Sequence, residues 1–348
     1  MIYSIDSLKK TFKEQNKFNA TIKPRYDTSD SILDLGGEVI WLYDEDINNH
    51  CKLFRIYKRI VSFLSAYYRI RNVKNSIVLI QIPIFNNIIK RLLPIIRKKR
   101  NRIVFLIHDL DNLRFCHNNA DVLSLLNRAD ALIAHSQNMM TFLRECGYNG
   151  FITTLGCFDY RSSISHLPAR IIRNDDIKLV FAGNLGKSKF LSRLTELTTD
   201  SHFQIYLYGV GLSESLLADN IFYKGKFEPE QIDLIEGNWG LVWDGDSIDT
   251  CTGVLGSYLK FIAPFKLGMY VAANMPVVVW KDSAMAEFVM NNSLGICVNS
   301  LHDIKSTINN LSESDIEKIT NGVSHYSSLL RNGHNFKVAF SHIMSLLK

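Results

Sequence analysis

Ile77-Val-Leu-Ile-Gln-Ile-Pro-Ile-Phe-Asn-Asn-Ile-Ile-Lys-Arg-Leu-Leu-Pro-Ile-Ile-Arg-Lys-Lys-Arg-Asn-Arg-Ile-Val-Phe-Leu-Ile107 is the stretch from which the fold can be read. Ile77–Ile82 and Ile103–Ile107 are near-continuous apolar runs, and Asn86–Lys98 between them has the spacing of a helix. A strand apolar on both faces, a helix and a second such strand build a parallel sheet covered by helices. Outward from here the alternation predicts strands at Val39–Leu42, Ala131–Ala134 and Ile152–Leu155, and a helix over Leu53–Arg71. The polar segment Asp159–Asp176, with Pro168 and a run of Arg, Asn and Asp, breaks the rhythm. It then restarts, with strands expected at Lys178–Ala182, Gln204–Tyr208, Ile221–Tyr223, Gly240–Trp243, Pro276–Trp280 and Gly295–Val298, and helix from Ile316 onward. The expected α/β layout is a first Rossmann-like domain at 1–160, a linker at 161–176 and a second Rossmann-like domain at 177–325. A helix at 326–348 is expected to pack back toward the first domain. Ligands of such sheets bind outside the carboxyl ends of the strands, so the cleft between the halves is where chemistry is sought.

Composition narrows the classes. The 348 residues are 47% hydrophobic and 21% charged, enough apolar mass for two cores and too little bias for disorder. A formal net charge of +6 is mildly basic, and no nucleic-acid-binding module accompanies it. Met1–Lys10 lacks the apolar stretch of a leader, and the longest apolar run, Ile77–Phe85, is too short to span a bilayer. Cys51, Cys116, Cys146, Cys157, Cys251 and Cys297 form no CxxC pair, which argues against zinc and disulfide frameworks. The expectation is a cytoplasmic protein. Arg55–Lys74 and Lys90–Arg102 carry basic residues interleaved with Tyr57, Phe63, Tyr67 and Tyr68, a pattern that suits either a solvated face or an anionic membrane surface.

Four constellations could carry chemistry. Phe181-Ala-Gly-Asn-Leu-Gly-Lys-Ser188 runs from a strand into a glycine turn. Gly183 and Asn184 there would let backbone approach a phosphate that Lys187 neutralises; an ordinary strand-to-helix turn is the alternative. In Tyr258–Trp280, Pro264 starts a helix that Asn274 ends, so Lys266 falls in the first turn, against the helix dipole. A docked diphosphate would explain a cation there, and so would a side chain in solvent. Trp243-Asp-Gly-Asp-Ser247 offers Asp244 and Asp246 as a DxD, a weak metal signal for which positioning a loop or donor is the favoured reading. Leu106-Ile-His-Asp-Leu-Asp-Asn-Leu-Arg114 gathers His108, Asp109 and Asp111 at a strand's end. One of them could deprotonate an acceptor hydroxyl, with Asp109 the first choice, or they could cap the next helix.

These motifs resemble those of the bacterial β-1,6-galactofuranosyltransferases of O-antigen assembly. The match is strongest over Gly240–Trp280 and extends to LIHDLDNLR, to FAGNL and, more faintly, to Lys23-Pro-Arg-Tyr-Asp27. A more distant similarity is to glucosyltransferases that extend GlcNAc on serine-rich adhesins. The resemblance implies a GT-B fold, a UDP-sugar donor, inversion at the anomeric carbon and no required metal. It puts Gly183, Asn184, Lys187, Tyr208, Asp244, Asp246, Tyr258, Lys260, Lys266 and Glu287 around the donor. Lys23, Arg25, Asp27 and Arg114 then face a carbohydrate acceptor carried on a lipid diphosphate. Peripheral attachment to the inner face of the plasma membrane would follow, and a homo-oligomer is left open. The rival reading is a non-catalytic UDP-sugar-binding subunit of another transferase; a single-domain, metal-dependent DxD transferase is disfavoured by the restart of the α/β pattern after Asp176.

Overall fold

The computed structural model describes residues 1–8, 22–43, 52–84, 87–110, 113–114, 120–164, 167–198 and 202–348. The first half runs β1 (Ile2–Leu8), α1 (Lys23–Asp34), β2 (Glu38–Tyr43), α2 (Lys52–Ile70), β3 (Ile77–Ile82), α3 (Asn87–Lys98) and β4 (Arg102–Ile107). It closes with α4 (Ala120–Leu126), β5 (Ala131–Ala134), α5 (Gln137–Glu145) and β6 (Phe151–Thr154). The six strands are parallel in the order β2-β1-β3-β4-β5-β6. β3 and β4 are buried along nearly their whole length, as their apolar sequences require.

β1 has no counterpart among the predicted strands. Ser4 and Asp6 on it are buried, so polar side chains occupy the face where apolar ones mark a strand. The Arg25 guanidinium on α1 lies 2.6 Å from the Asp6 carboxylate, which is what permits that burial.

Leu155 to Ile172 contains neither helix nor strand among its described residues. The second half then runs β7 (Ile177–Asn184), a 3-10 helix (Lys189–Glu196), β8 (Phe203–Val210), β9 (Ile221–Tyr223), β10 (Trp239–Val242), α6 (Gly253–Tyr258) and α7 (Phe265–Ala272). It continues through β11 (Val277–Trp280), α8 (Ala286–Asn291), β12 (Gly295–Val298), α9 (Asp303–Asn309), α10 (Glu313–Arg331) and α11 (His334–Leu346). All six strands are again parallel, in the order β12-β11-β10-β7-β8-β9. The order reverses between β7 and β10, as it does between β1 and β3 in the first sheet. These are the switch points where a crevice opens at the strands' carboxyl ends.

The expected C-terminal helix is two helices. Ser312 and Asp315 form a reciprocal capping box that starts α10, and Gly333, with φ +70°, separates it from α11. α11 packs on β5, β6 and α1. Asp159 accepts the backbone N–H groups of Asn335 and Phe336 at 3.0 and 2.8 Å, at the helix N-terminus where a carboxylate is favoured.

Candidate active site

At the switch point of the second sheet, β7 ends on the exposed Gly183 and Asn184, and β10 leads into Trp243. Asn184 Oδ1 accepts Gly186 N–H at 3.1 Å, which closes the glycine turn and leaves Lys187 exposed. Pro264 caps α7 with extended backbone, so Lys266 stands in the first turn. Its ammonium donates to Trp243 O at 3.3 Å and lies 4.1 Å from the centre of the Phe181 ring. Among the described residues no carboxylate lies within salt-bridge distance of it. Burial lowers the pKa of Lys266; Asp244 opposes that shift and Lys187 adds to it. Three features converge on one spot: two lysines, a helix N-terminus and a glycine-flanked strand end. An anion is what such an arrangement accepts.

The helix is held there by its other residues. Tyr270 on α7 is fully buried and its hydroxyl accepts Ala182 N–H at 2.7 Å. A Cβ at Gly268 would sit 2.2 Å from Phe158 O, so only glycine lets α7 approach the chain leaving the first half. This explains the lysine–leucine–glycine step at the helix start.

The DxD acids have separate partners. Asp244 Oδ1 accepts Gly245 N–H at 2.9 Å and the Ser188 hydroxyl at 3.3 Å, which ties the β10 loop to the glycine turn. Asp246 is 3.4 Å from Lys189, and a Cβ on the neighbouring Gly253 would meet its carboxylate at 2.4 Å. Among the described residues no group of three or more His, Cys, Asp or Glu converges as a metal site.

Across the cleft, β4 ends at Ile107 and the next two residues are His108 and Asp109. Asp109 Oδ1 accepts the Tyr258 hydroxyl at 2.7 Å, and Oδ2 pairs with Arg114. Tyr258 belongs to α6, so the bond joins the two halves. Its hydroxyl also accepts Leu110 N–H at 2.9 Å, and burial beside Asp109 raises its pKa, so it stays a donor. Arg114 covers the Tyr258 ring at 4.8 Å. His108 Nε2 lies 2.6 Å from Gln81 Oε1 and its ring stacks on Phe158 at 5.3 Å. Gln81 Oε1 can only accept, so Nε2 carries the proton; burial and the nearby Arg25 push the pKa well below the usual value, leaving a neutral imidazole. Asp111 lies outside the described residues.

Other predicted residues have structural engagements. Lys23 is buried, paired with Asp27 at 3.0 Å and Glu230 at 3.2 Å, and donates to Arg161 O at 2.8 Å. Arg25 fills the first sheet's switch point, bonding Asp6 on β1 and the carbonyls of Gln81 and Pro83 at the end of β3. Burial raises the pKa of Asp27 to about 6. Tyr208 is buried and its hydroxyl accepts Glu236 N–H at 2.9 Å. Lys260 is exposed with its ammonium 5.5 Å from the Trp280 ring centre, and Glu287 is exposed on α8.

Two residues of the site, Gln81 and His135, belong to none of the sequence motifs. Gln81 is the one polar side chain in β3, and that interruption was the available signal. His135 and Ser136 follow β5 just as His108 and Asp109 follow β4. His135 accepts Ala263 N–H on Nδ1 at 3.1 Å, so Nε2 donates to Ile107 O at 2.8 Å; burial lowers its pKa to about 4. Ser136 donates to Phe261 O at 2.7 Å and Asn138 to Lys260 O at 2.8 Å, so the start of α5 holds the segment between Tyr258 and Lys266.

The N-terminal domain of glucosyltransferase 3-like proteins matches residues 7–157, and the C-terminal domain of the same family matches residues 179–343. The chain belongs to the glucosyltransferase 3-like family of glycosyltransferases. The family member is 31% identical over 250 residues to the β-1,6-galactofuranosyltransferase WbbI of Escherichia coli (strain K12), covering 71% of this chain and 72% of that protein. It is 27% identical over 239 residues to glucosyltransferase 3 of Streptococcus parasanguinis, covering 67% of each. Anabaena Alr3699/HepE, solved in complex with UDP and glucose, superposes with a TM-score of 0.55 at 14% identity, covering 99% of this chain and 98% of that one. The trehalose 6-phosphate synthase of Burkholderia multivorans gives 0.58 at 8% identity over 99% of this chain and 96% of that one. The fold is GT-B.

Proposed function

We propose that this glycosyltransferase moves a hexosyl group from a UDP-sugar to a hydroxyl of a carbohydrate acceptor, with inversion at the anomeric carbon. The observation that carries the reading is Lys266, a cation with no carboxylate partner among the described residues, in the first turn of α7 beside Lys187. The diphosphate binds between these lysines and the glycine turn. The acceptor oxygen attacks the anomeric carbon as the bond to the diphosphate oxygen breaks, UDP leaves, and the hydroxyl proton passes to Asp109. Tyr258 and Arg114 orient that carboxylate. Lys187 and Lys266 offset the leaving group's charge, so a divalent metal is not required, and Asp244 serves as a loop tie. Galactofuranose is the proposed donor sugar and a lipid-diphosphate-linked saccharide in surface polysaccharide assembly the proposed acceptor; similarity to the Escherichia coli relative supports both. The proposed site of action is cytoplasmic.

The test is UDP release and product mass with UDP-galactofuranose, UDP-galactopyranose and UDP-glucose, each in EDTA and in Mn²⁺. Turnover in EDTA with the furanose donor supports the reading. Turnover with UDP-glucose alone replaces the sugar, and turnover seen only with Mn²⁺ hands the diphosphate to Asp244 and Asp246.

A further inference from the structure

Fourteen of the chain's forty Lys and Arg residues, and none of its thirty-four Asp and Glu residues, lie between Ile47 and His108. The rest of the chain holds twenty-six basic and thirty-four acidic residues, so all of the net positive charge comes from this one segment. It contains α2 and α3. Most of its basic side chains that are described are exposed, among them Lys90 and Arg91 on α3 and Arg71 and Lys74 after α2.

α2 has two apolar faces. Ala66 and Ile70 are buried in the core of the first half. Along another face, Leu53, Tyr57, Ile60, Leu64 and Tyr68 are exposed by 77, 63, 55, 57 and 63%. Their spacing of four, three, four and four residues is one continuous stripe of a helix. Scattered exposed apolar residues need no explanation, but a stripe over four turns does.

We propose that this face of α2 lies on an anionic lipid surface. Apolar and tyrosine side chains in an acid-free basic segment are the composition of an interfacial helix, whose apolar face enters the headgroup boundary while the cations meet anionic lipid. A second copy of the chain would bring the same positive segment against itself, which disfavours that occupant. Among the described residues no helix is long and apolar enough to cross a membrane, so the contact is on the surface. α2 follows β2 in a parallel sheet, so its more exposed N-terminal turns begin at the same edge as His108 and Asp109. A saccharide standing on a lipid would there face the cleft. The proposal concerns the surface alone and stands whether or not the donor reading above is right.

The experiment is flotation of the full chain with vesicles of phosphatidylcholine alone and of phosphatidylcholine mixed with phosphatidylglycerol, at low and high salt. Binding is expected to the mixed vesicles, at least about tenfold weaker to phosphatidylcholine alone and weakened by salt. Ile60→Glu with Leu64→Glu, and separately Lys90→Glu with Arg91→Glu, should each reduce it at least about tenfold with the melting temperature unchanged. Equal binding to both vesicle types, or wild-type binding by both variants, overturns the proposal. So does a wild-type dimer that ignores vesicles and that Leu64→Glu dissociates, which would assign the stripe to a second copy.

Discussion

The two sheets have the same parallel construction and each has a switch point, yet the two crevices differ in what fills them. In the first, Arg25 spans the end of β3 and the Asp6 carboxylate on β1, so an internal ion pair occupies the place a ligand would take. In the second, Gly183, Asn184 and Lys187 are exposed, and among the described residues Lys266 reaches only a carbonyl and an aromatic ring. Topology supplies the crevice; whether it binds an anion depends on whether its cation already has a carboxylate. The first half then contributes to the cleft from the next strand along, through His108 and Asp109 after β4.

That contrast can be broken experimentally. Arg25→Met removes the Arg25 cation from the buried Asp6 carboxylate, and urea unfolding should report a loss of about 4 kcal/mol. A loss within error of zero would mean the first crevice is not held by that pair.

His135 gives the next effect. Its folded pKa of about 4 lies below the unfolded value, so between about pH 6.5 and 4 the unfolded chain takes up a proton that the folded chain refuses. Its contribution is intact above that window and falls as pH drops through it, by about 3 kcal/mol in all. His135→Gln should flatten the fall, as followed by melting temperature; an unchanged profile would remove His135 from the joint between the halves.

Asp109→Asn should lower kcat by about a hundredfold while UDP affinity stays within about twofold, because in the proposed mechanism Asp109 serves chemistry and the second crevice serves binding. Loss of both together would merge the two roles. The smallest effect is Tyr258→Phe, which removes one hydrogen bond to Asp109 and should cost about tenfold in kcat with little change in KM. Wild-type turnover would leave the orienting of Asp109 to Arg114 and the Leu110 N–H.

The same contrast explains what was legible beforehand. β3, β4 and the Val277–Trp280 strand announce themselves because both faces are buried and the residues are apolar throughout. Lys266 and the glycine turn were legible because a strand end, a proline-initiated helix and a lysine are local in sequence. β1 was not, since Ser4 and Asp6 are buried against partners far along the chain. Lys23 stands out in the sequence as an acceptor-site candidate, but its carboxylate partner Glu230, two hundred residues away, is invisible to any spacing argument. The bond from Tyr258 to Asp109 joins residues from opposite halves, so the motifs named both residues without revealing that they meet.

On the proposed reading, the second sheet's switch point holds the donor diphosphate on Lys266. Calorimetric titration of UDP into the wild type and Lys266→Met, both in EDTA, tests it most directly. Measurable wild-type binding is expected, weakened at least about tenfold by the substitution, with no loss of melting temperature because the lysine's burial is itself unfavourable. Equal affinity in the two proteins, or wild-type binding that appears only with Mn²⁺, would contradict it.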